Sequence, residues 1–509
     1  MFACVNSLGL QGIDGFVVQC EADISQGLPA FELVGLPDTA VRESRDRVRA
    51  VIKNSGFTYP VSRVTVNLAP ADVKKEGPVY DLPLFLALLQ ASGQIKADLS
   101  KAAFVGELSL SGEIRAVRGV LPMTIAAKEA GFTEIFVPRE NAEEAAVVEG
   151  IAVYAPPTVA ALLQHVLDAV QLPRILPPET GEAPDTLPVD FAEVMGQGAA
   201  RRALEVAAAG SHNVLLIGPP GSGKSMLAKR LPTILPDLTT GEALEITKIH
   251  SVAGTLPSGA GLLKERPFRA PHHNISPQGL AGGGIVPRPG EISLAHGGVL
   301  FLDELPEFSR QTMECLRQPL EDGKVTISRV SATLSYPSGV MLVAAMNPCP
   351  CGYYGHPTRA CTCTAQAAGR YINKISGPLL DRIDLHIEVP PVEFDHLSAT
   401  EKAESSAAIK ARVNAAREIQ QARFAGTNIV ANAVIPASAL KEMCPMTDGA
   451  KQMLKNAFDR LGLSARAYDR LLKVSRTIAD LDAVEVIDTK HIAEAIQYRS
   501  LDRKYWQER

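Results

Sequence analysis

One short stretch of this chain has the residue types that cradle a phosphate: Gly218-Pro219-Pro220-Gly221-Ser222-Gly223-Lys224-Ser225. It fits G-x-x-x-x-G-K-S in the setting that pattern requires, with an apolar strand-like run before it (213–217) and a helical segment after it (226–231). The glycines let successive backbone N–H groups turn toward a phosphate, and the helix N-terminus adds positive potential. Lys224 would then reach the β- and γ-phosphates of ATP, and the Ser225 hydroxyl would ligate Mg²⁺. A second buried strand, 299–302, ends in Asp303-Glu304. At the C-terminal edge of a parallel strand, Asp303 suits Mg²⁺ and Glu304 suits orienting and polarising the attacking water. A third apolar strand, 340–345, ends near Asn347, which is placed to hold that water. Arg382 suits a guanidinium supplied to a neighbouring subunit's phosphate, and Arg466, behind a possible Ser464 cap, suits a nucleotide sensor on a lid.

The cysteines suggest a second chemistry. Cys349-Pro350-Cys351 and Cys361-Thr362-Cys363 lie one short loop apart, and four thiolates close a tetrahedral Zn²⁺ site. The C-x-C spacing is tighter than the usual C-x-x-C, and His356 is the alternative fourth ligand. Such a zinc would be structural, stapling an insert with little core, because four protein ligands leave no open position. Cys4, Cys20, Cys315 and Cys444 are isolated and read as inert.

The elements that must position these groups sort into blocks. At 509 residues the chain calls for two or three domains. Residues 1–170 alternate strand-like runs (61–68, 134–138) with helical ones (84–90, 123–130), and 171–190 is a Pro-rich acidic linker. Residues 191–392 form the α/β block that holds the motifs, with a cysteine insert at 349–363. Residues 393–509 read as an all-α lid with helices at 403–422, 464–481 and 489–498, the last capped by Asp488. With 51 Lys+Arg against 56 Asp+Glu, net charge −5, the chain is not a basic coat for nucleic acid. A local basic channel is still allowed. No secretory signal is visible, and the most apolar run, 82–89, is too short to cross a membrane. The expectation is a cytoplasmic protein, in which cysteines serve metal binding or packing rather than disulfides.

The block Arg266-Pro267-Phe268-Arg269-Ala270-Pro271-His272-His273, the run Gly297 to Glu304, Met346-Asn347-Pro348 and Leu380-Asp381-Arg382-Ile383-Asp384 together resemble the magnesium-chelatase-like AAA+ proteins. Over nearly the whole chain the resemblance is to the YifB/ComM family. It implies an AAA+ P-loop parallel-sheet core with a helix-2 insert at 253–291 and a pre-sensor hairpin at 324–336, both facing a central pore. It also implies a homo-oligomer, a hexamer, acting as a DNA-dependent ATPase of the helicase or branch-migration type, as in natural transformation and recombination. Lys264, Arg266, Arg269, Arg288, Lys324 and Arg329 would then form a basic ring on single-stranded or branched DNA. His272 and His273 adjoin in sequence, which favours hydrogen-bonding or packing roles over metal ligation.

Residues 66–70, 75–82, 106–115 and 118–121 resemble the proteolytic domain of Lon, implying an N-terminal α+β domain. That family places a Ser nucleophile and a Lys base where this chain has Val79 and Leu121. Neither can attack or take a proton, so an ATP-dependent protease is disfavoured. An ATPase that remodels a protein partner, as the chelatase I subunit does, is the alternative to a DNA motor.

Overall fold

The structure, a computed structural model, describes residues 1–509 apart from 178–188, 258, 285–286, 329–332, 357, 392–402, 462–463, 500, 502–504 and 507–509. The chain divides into two compact units, and their boundaries do not follow the order of the sequence.

The first unit comprises Met1–Gly181, Thr240–Lys264 and Ser328–Tyr336. The seven strands of its main sheet are β1 (Phe2–Gln11), β2 (Asp14–Ser25), β3 (Ala30–Val34), β4 (Arg63–Ala69), β5 (Ala102–Phe104), β6 (Glu134–Phe136) and β7 (Ala152–Tyr154), in spatial order β3-β4-β2-β1-β5-β6-β7. β1 and β2 form a long antiparallel hairpin, while β5, β6 and β7 run parallel. Helices Thr39–Asn54, Asp81–Ala91 and Val120–Glu129 belong to this unit. Every residue from Asp81 to Leu89 is buried, so that helix is wrapped by core and shows no amphipathic stripe. The expected elements at 61–68, 84–90, 123–130 and 134–138 all appear, with ends shifted by at most three residues. Val79 and Leu121 are packed in the core at 4% and 0% exposure.

Helix Thr240–Ala253 joins this unit although it follows the phosphate loop in sequence. Its Ser251 carbonyl accepts from the Gly119 amide at 3.1 Å, Lys248 pairs with Asp14 at 3.2 Å, and Leu244 packs on the unit's apolar core. Of the expected linker, Ile175 still donates to Val153 at the edge of the sheet at 2.9 Å; residues 178–188 lie outside the described residues.

The second unit comprises Glu182–Thr239, Glu265–Ile327 and Pro337–Arg509. Its sheet contains β8 (Val214–Ile217), β9 (Phe268–Arg269), β10 (Val299–Leu302), β11 (Met341–Met346) and β12 (Leu385–Glu388), all parallel, in the order β9-β10-β11-β8-β12. β8, β10 and β11 are buried throughout, as continuous apolar runs in a parallel sheet require. Helices Ser406–Arg423, Asp448–Leu461, Ala465–Leu481 and Thr489–Gln497 make the C-terminal helical region. Ser464 caps its helix by accepting from Ala467, and Asp488 forms a capping box with His491. The α/β core of AAA+ type and the helical C-terminal region are therefore as expected. Among the described residues, no helix is long and apolar enough to cross a membrane.

Candidate nucleotide site and thiolate cluster

β8 runs directly into the phosphate loop, and helix Lys224–Arg230 leaves it. Gly221 and Gly223 take φ of +77° and +92°, a region that side chains disfavour, so the turn that aims N–H groups inward depends on glycine. Gly218 is needed for a different reason: a Cβ there would fall 2.2 Å from the Val389 carbonyl oxygen. Pro219 is half-buried, while Pro220 and Gly221 are exposed. Ser222 is buried, and its carbonyl accepts from the Gln197 side chain, which also donates to Pro390. Gln197 thus ties the loop to the strand end beside it.

The Lys224 ammonium donates to the carbonyls of Gly218 (2.8 Å) and Pro219 (2.9 Å) and to Asn347 Oδ1 (3.2 Å). Burial pushes this lysine below its ordinary pKa, against the opposing charges of Asp303 and Glu304. Ser225 Oγ donates to Asp303 Oδ2 at 2.6 Å, and the Glu304 amide donates to Asp303 Oδ1 at 3.0 Å. These residues come from three adjacent parallel strands, β10, β11 and β8, and meet at their C-terminal ends, where ligands bind in such sheets. Glu304 is exposed and sits in the left-handed region (φ 52°, ψ 46°), a strained conformation for a non-glycine residue. Its carboxylate lies 3.4 Å from His273 Nδ1.

The arginines lie elsewhere. Arg382 donates to the carbonyls of Arg317 (3.1 Å) and Pro378 (2.7 Å) and pairs with Glu321, at the edge of a cavity of about 300 Å³ lined by Glu314, Gln318 and Asp322. Arg466 is exposed at the start of its helix, and among the described residues no hydrogen bond or ion pair joins it to the phosphate loop. Asp384, in the same motif as Arg382, accepts from the Asn213 amide (3.0 Å) and faces His212 (3.4 Å) and Arg470 (3.5 Å). These contacts fix the foot of β8 to helix Ala465–Leu481.

Of the basic residues expected in a ring, Lys264, Arg288 and Lys324 are exposed. Two others differ from a phosphate-facing role. The Arg266 guanidinium donates to the carbonyls of Pro236, Gly297 and Asp237, and Arg269 makes a two-pronged pair with Glu291 at 2.6 and 2.8 Å. Arg266 thus ties its segment to residues outside 253–291, and Arg269 is tied to Glu291 within that range. Strands Lys324–Ser328 and Thr333–Pro337 stand where the hairpin is expected; Arg329 lies outside the described residues.

The four cysteines converge. Their sulfurs all lie within 4.8 Å of one another, with Cys349–Cys351 at 3.3 Å, Cys351–Cys361 at 3.5 Å and Cys349–Cys361 at 3.7 Å. Four sulfurs at about 2.3 Å from one ion require separations of just this order, so the group can hold a metal ion. Backbone amides also point at the sulfurs, as at a thiolate site: Gly352 and Tyr354 toward Cys349, Tyr353 and Thr362 toward Cys351. Although burial opposes ionisation, the amides of Tyr353 and Thr362 and the thiols of Cys349 and Cys363 bring the Cys351 thiol down to about 5, while burial pushes Cys349 up. His356 is not in the group; its Nδ1 accepts from the amides of Thr358 and Arg359.

Comparisons with known proteins agree with this architecture. The profile described as magnesium chelatase, subunit ChlI, matches residues 190–397; its companion, subunit ChlI of Mg-chelatase, matches 20–141, and the ChlI C-terminal profile matches 403–499. The chain is 44% identical to YifB of Escherichia coli (strain K12), covering 98% of this chain and 97% of that one. It is also 44% identical to competence protein ComM of Haemophilus influenzae, covering 98% of each. A Lon protease of Clostridium beijerinckii is 26% identical over 180 residues, 34% of this chain and 22% of that one.

Proposed function

The chain belongs to the YifB/ComM family of magnesium-chelatase-like AAA+ proteins, and from that membership we propose that it is an ATP-driven motor on DNA. The observation that carries the ATPase reading is the cluster in which Ser225 meets Asp303 at 2.6 Å and Lys224 meets Asn347 at 3.2 Å. Those contacts occupy the space where phosphate oxygens would take their place. Lys224 and the loop amides hold the phosphates, Glu304 polarises the water, and Asn347 orients it. Ser225 and Asp303 would hold Mg²⁺, which would supply positive charge against the phosphates. Arg382 completes the site of the next subunit in a homo-hexamer, and Arg466 reports the nucleotide state through the lid. Cys349, Cys351, Cys361 and Cys363 would hold Zn²⁺, which would supply structure and no chemistry.

The DNA substrate is inferred from the competence protein among the relatives and from exposed Lys264, Arg288 and Lys324. Arg266 and Arg269 are taken up by contacts within the second unit, and Arg329 is proposed as a DNA contact on the sequence alone. The Lon-like domain serves docking or assembly. A direct test is ATPase rate with and without forked or single-stranded DNA. Stimulation of severalfold is expected; indifference to every nucleic acid, with stimulation by a protein partner, overturns the DNA reading. Arg382→Ala is expected to keep ATP binding while lowering turnover about 10³-fold in the assembled protein. Normal turnover by that variant would remove the trans assignment.

A further inference from the structure

The thiolate loop and the phosphate loop leave the same edge of the sheet side by side. β8 and β11 are adjacent and parallel with Ile217 opposite Met346, and the Gly218 amide donates to the Met346 carbonyl at 3.2 Å. Asn347 follows β11 directly, and Cys349 comes two residues later. Gly352, inside the thiolate loop, presses on the phosphate loop so closely that a Cβ would lie 2.4 Å from Pro220 Cδ. The returning arm reaches the same place. Helix Ala365–Ile372 is capped by Thr364, next to Cys363, and carries Tyr371, whose buried hydroxyl faces the backbone of Asn347.

The loop has almost no apolar packing to hold this path. Among its described residues from 350 to 363, only Gly352 is buried, and the rest are half-buried or exposed. A segment without a core keeps one conformation only when something else supplies the free energy, and metal–thiolate bonds do so.

We infer that the four-cysteine loop is a metal-dependent clamp on the nucleotide site: metal held by Cys349, Cys351, Cys361 and Cys363 presses Gly352 against Pro220 and fixes Asn347 beside Lys224, so that metal occupancy sets nucleotide affinity. This rests on the ATP and zinc readings above and adds a coupling between them. Coupling is reciprocal: whatever factor the metal adds to nucleotide binding, the nucleotide adds to metal retention.

The full-length protein is used for the test. Elemental analysis is expected to find one zinc per chain. Stripping the metal with phenanthroline, followed by dialysis into Mg²⁺ buffer, is expected to weaken binding of a fluorescent ATP analogue about 10-fold, with recovery on adding zinc back. A non-hydrolysable ATP analogue is expected to slow zinc transfer to a chromogenic chelator by a comparable factor. Gly352→Ala leaves all four thiols in place, so it is expected to retain its zinc yet bind the analogue several-fold more weakly, because its methyl meets Pro220. Should the stripped protein unfold, this variant carries the test alone. Zinc-loaded Gly352→Ala with wild-type nucleotide affinity, or stripped protein with unchanged affinity, overturns the clamp while the ATP and zinc readings stand. No stoichiometric metal removes the zinc reading and the clamp together. No nucleotide binding by zinc-loaded wild type removes the ATP reading itself.

Discussion

Around the phosphate loop, Lys224, Ser225 and Asp303 each have a polar partner within 3.2 Å, whereas the two positions matching a Lon nucleophile and base are aliphatic and sealed in the core. Both regions resemble catalytic folds. The difference is what happened to the polar atoms. In the nucleotide site they stay hydrogen-bonded with Asp303 half-buried and Glu304 exposed, ready to exchange partners with a ligand. In the N-terminal unit, Val79 and Leu121 are buried aliphatic side chains, and each contributes roughly 1.5–3 kcal/mol of burial. Aliphatic side chains at buried positions stabilise the core they fill, and Val79 and Leu121 both do so here.

The comparison breaks first at Lys224. Lys224→Ala is expected to abolish ATP turnover, by about 10³-fold or more, while the protein stays folded, since the lysine's bonds are to the loop itself. Steady-state phosphate release together with a thermal melt checks this. Retained turnover would mean that the loop is not the phosphate site. The converse experiment rebuilds the Lon pair. Val79→Ser with Leu121→Lys puts an ammonium and a hydroxyl into fully packed positions, and is expected to destabilise the N-terminal unit by about 3–5 kcal/mol without casein cleavage. Denaturant unfolding and a fluorescent casein assay read the two halves. Proteolysis by the double variant would show that substrate access had survived.

What the sequence disclosed follows the same division. Gly218 to Ser225, Asp303-Glu304 and Asn347 were legible because their chemistry depends on short spacings next to apolar strand runs, and the structure brings them together as those spacings imply. The cysteine pairs were legible for the same reason, although the choice between four thiols and His356 needed coordinates. Long-range placement was not legible. Helix Thr240–Ala253 lies between two segments of the second unit in sequence, and its contacts with Gly119, Asp14 and the first unit's apolar core assign it to the first. The His273–Glu304 contact joins residues that no local pattern links; the paired histidines hinted at a polar role without naming the partner. Arg266 and Arg269 looked like phosphate ligands by type, and only geometry shows Arg269 held by Glu291 and Arg266 by carbonyls.

Asp384 sharpens the contrast from the other side, as a buried charge that the core has kept. It is 8% exposed, and its pKa is held down to about 2: burial opposes ionisation, but His212, Arg470 and the Asn213 amide outweigh it. The ordinary value is 3.8, so the folded protein binds this proton less readily than the unfolded chain does. The stabilisation is therefore fully present above about pH 4 and is lost as pH falls from there through about 2. A depression of this size corresponds to roughly 2 kcal/mol. Asp384→Asn keeps an acceptor for the Asn213 amide and removes the charge. It is expected to cost about that much at neutral pH, with the gap from wild type narrowing as pH falls from 4 toward 2. Denaturant midpoints for both proteins at several pH values measure the gap. A gap that stays constant across that window would mean the carboxylate acts through packing alone, and that the motif around Arg382 is held to helix Ala465–Leu481 by shape rather than charge.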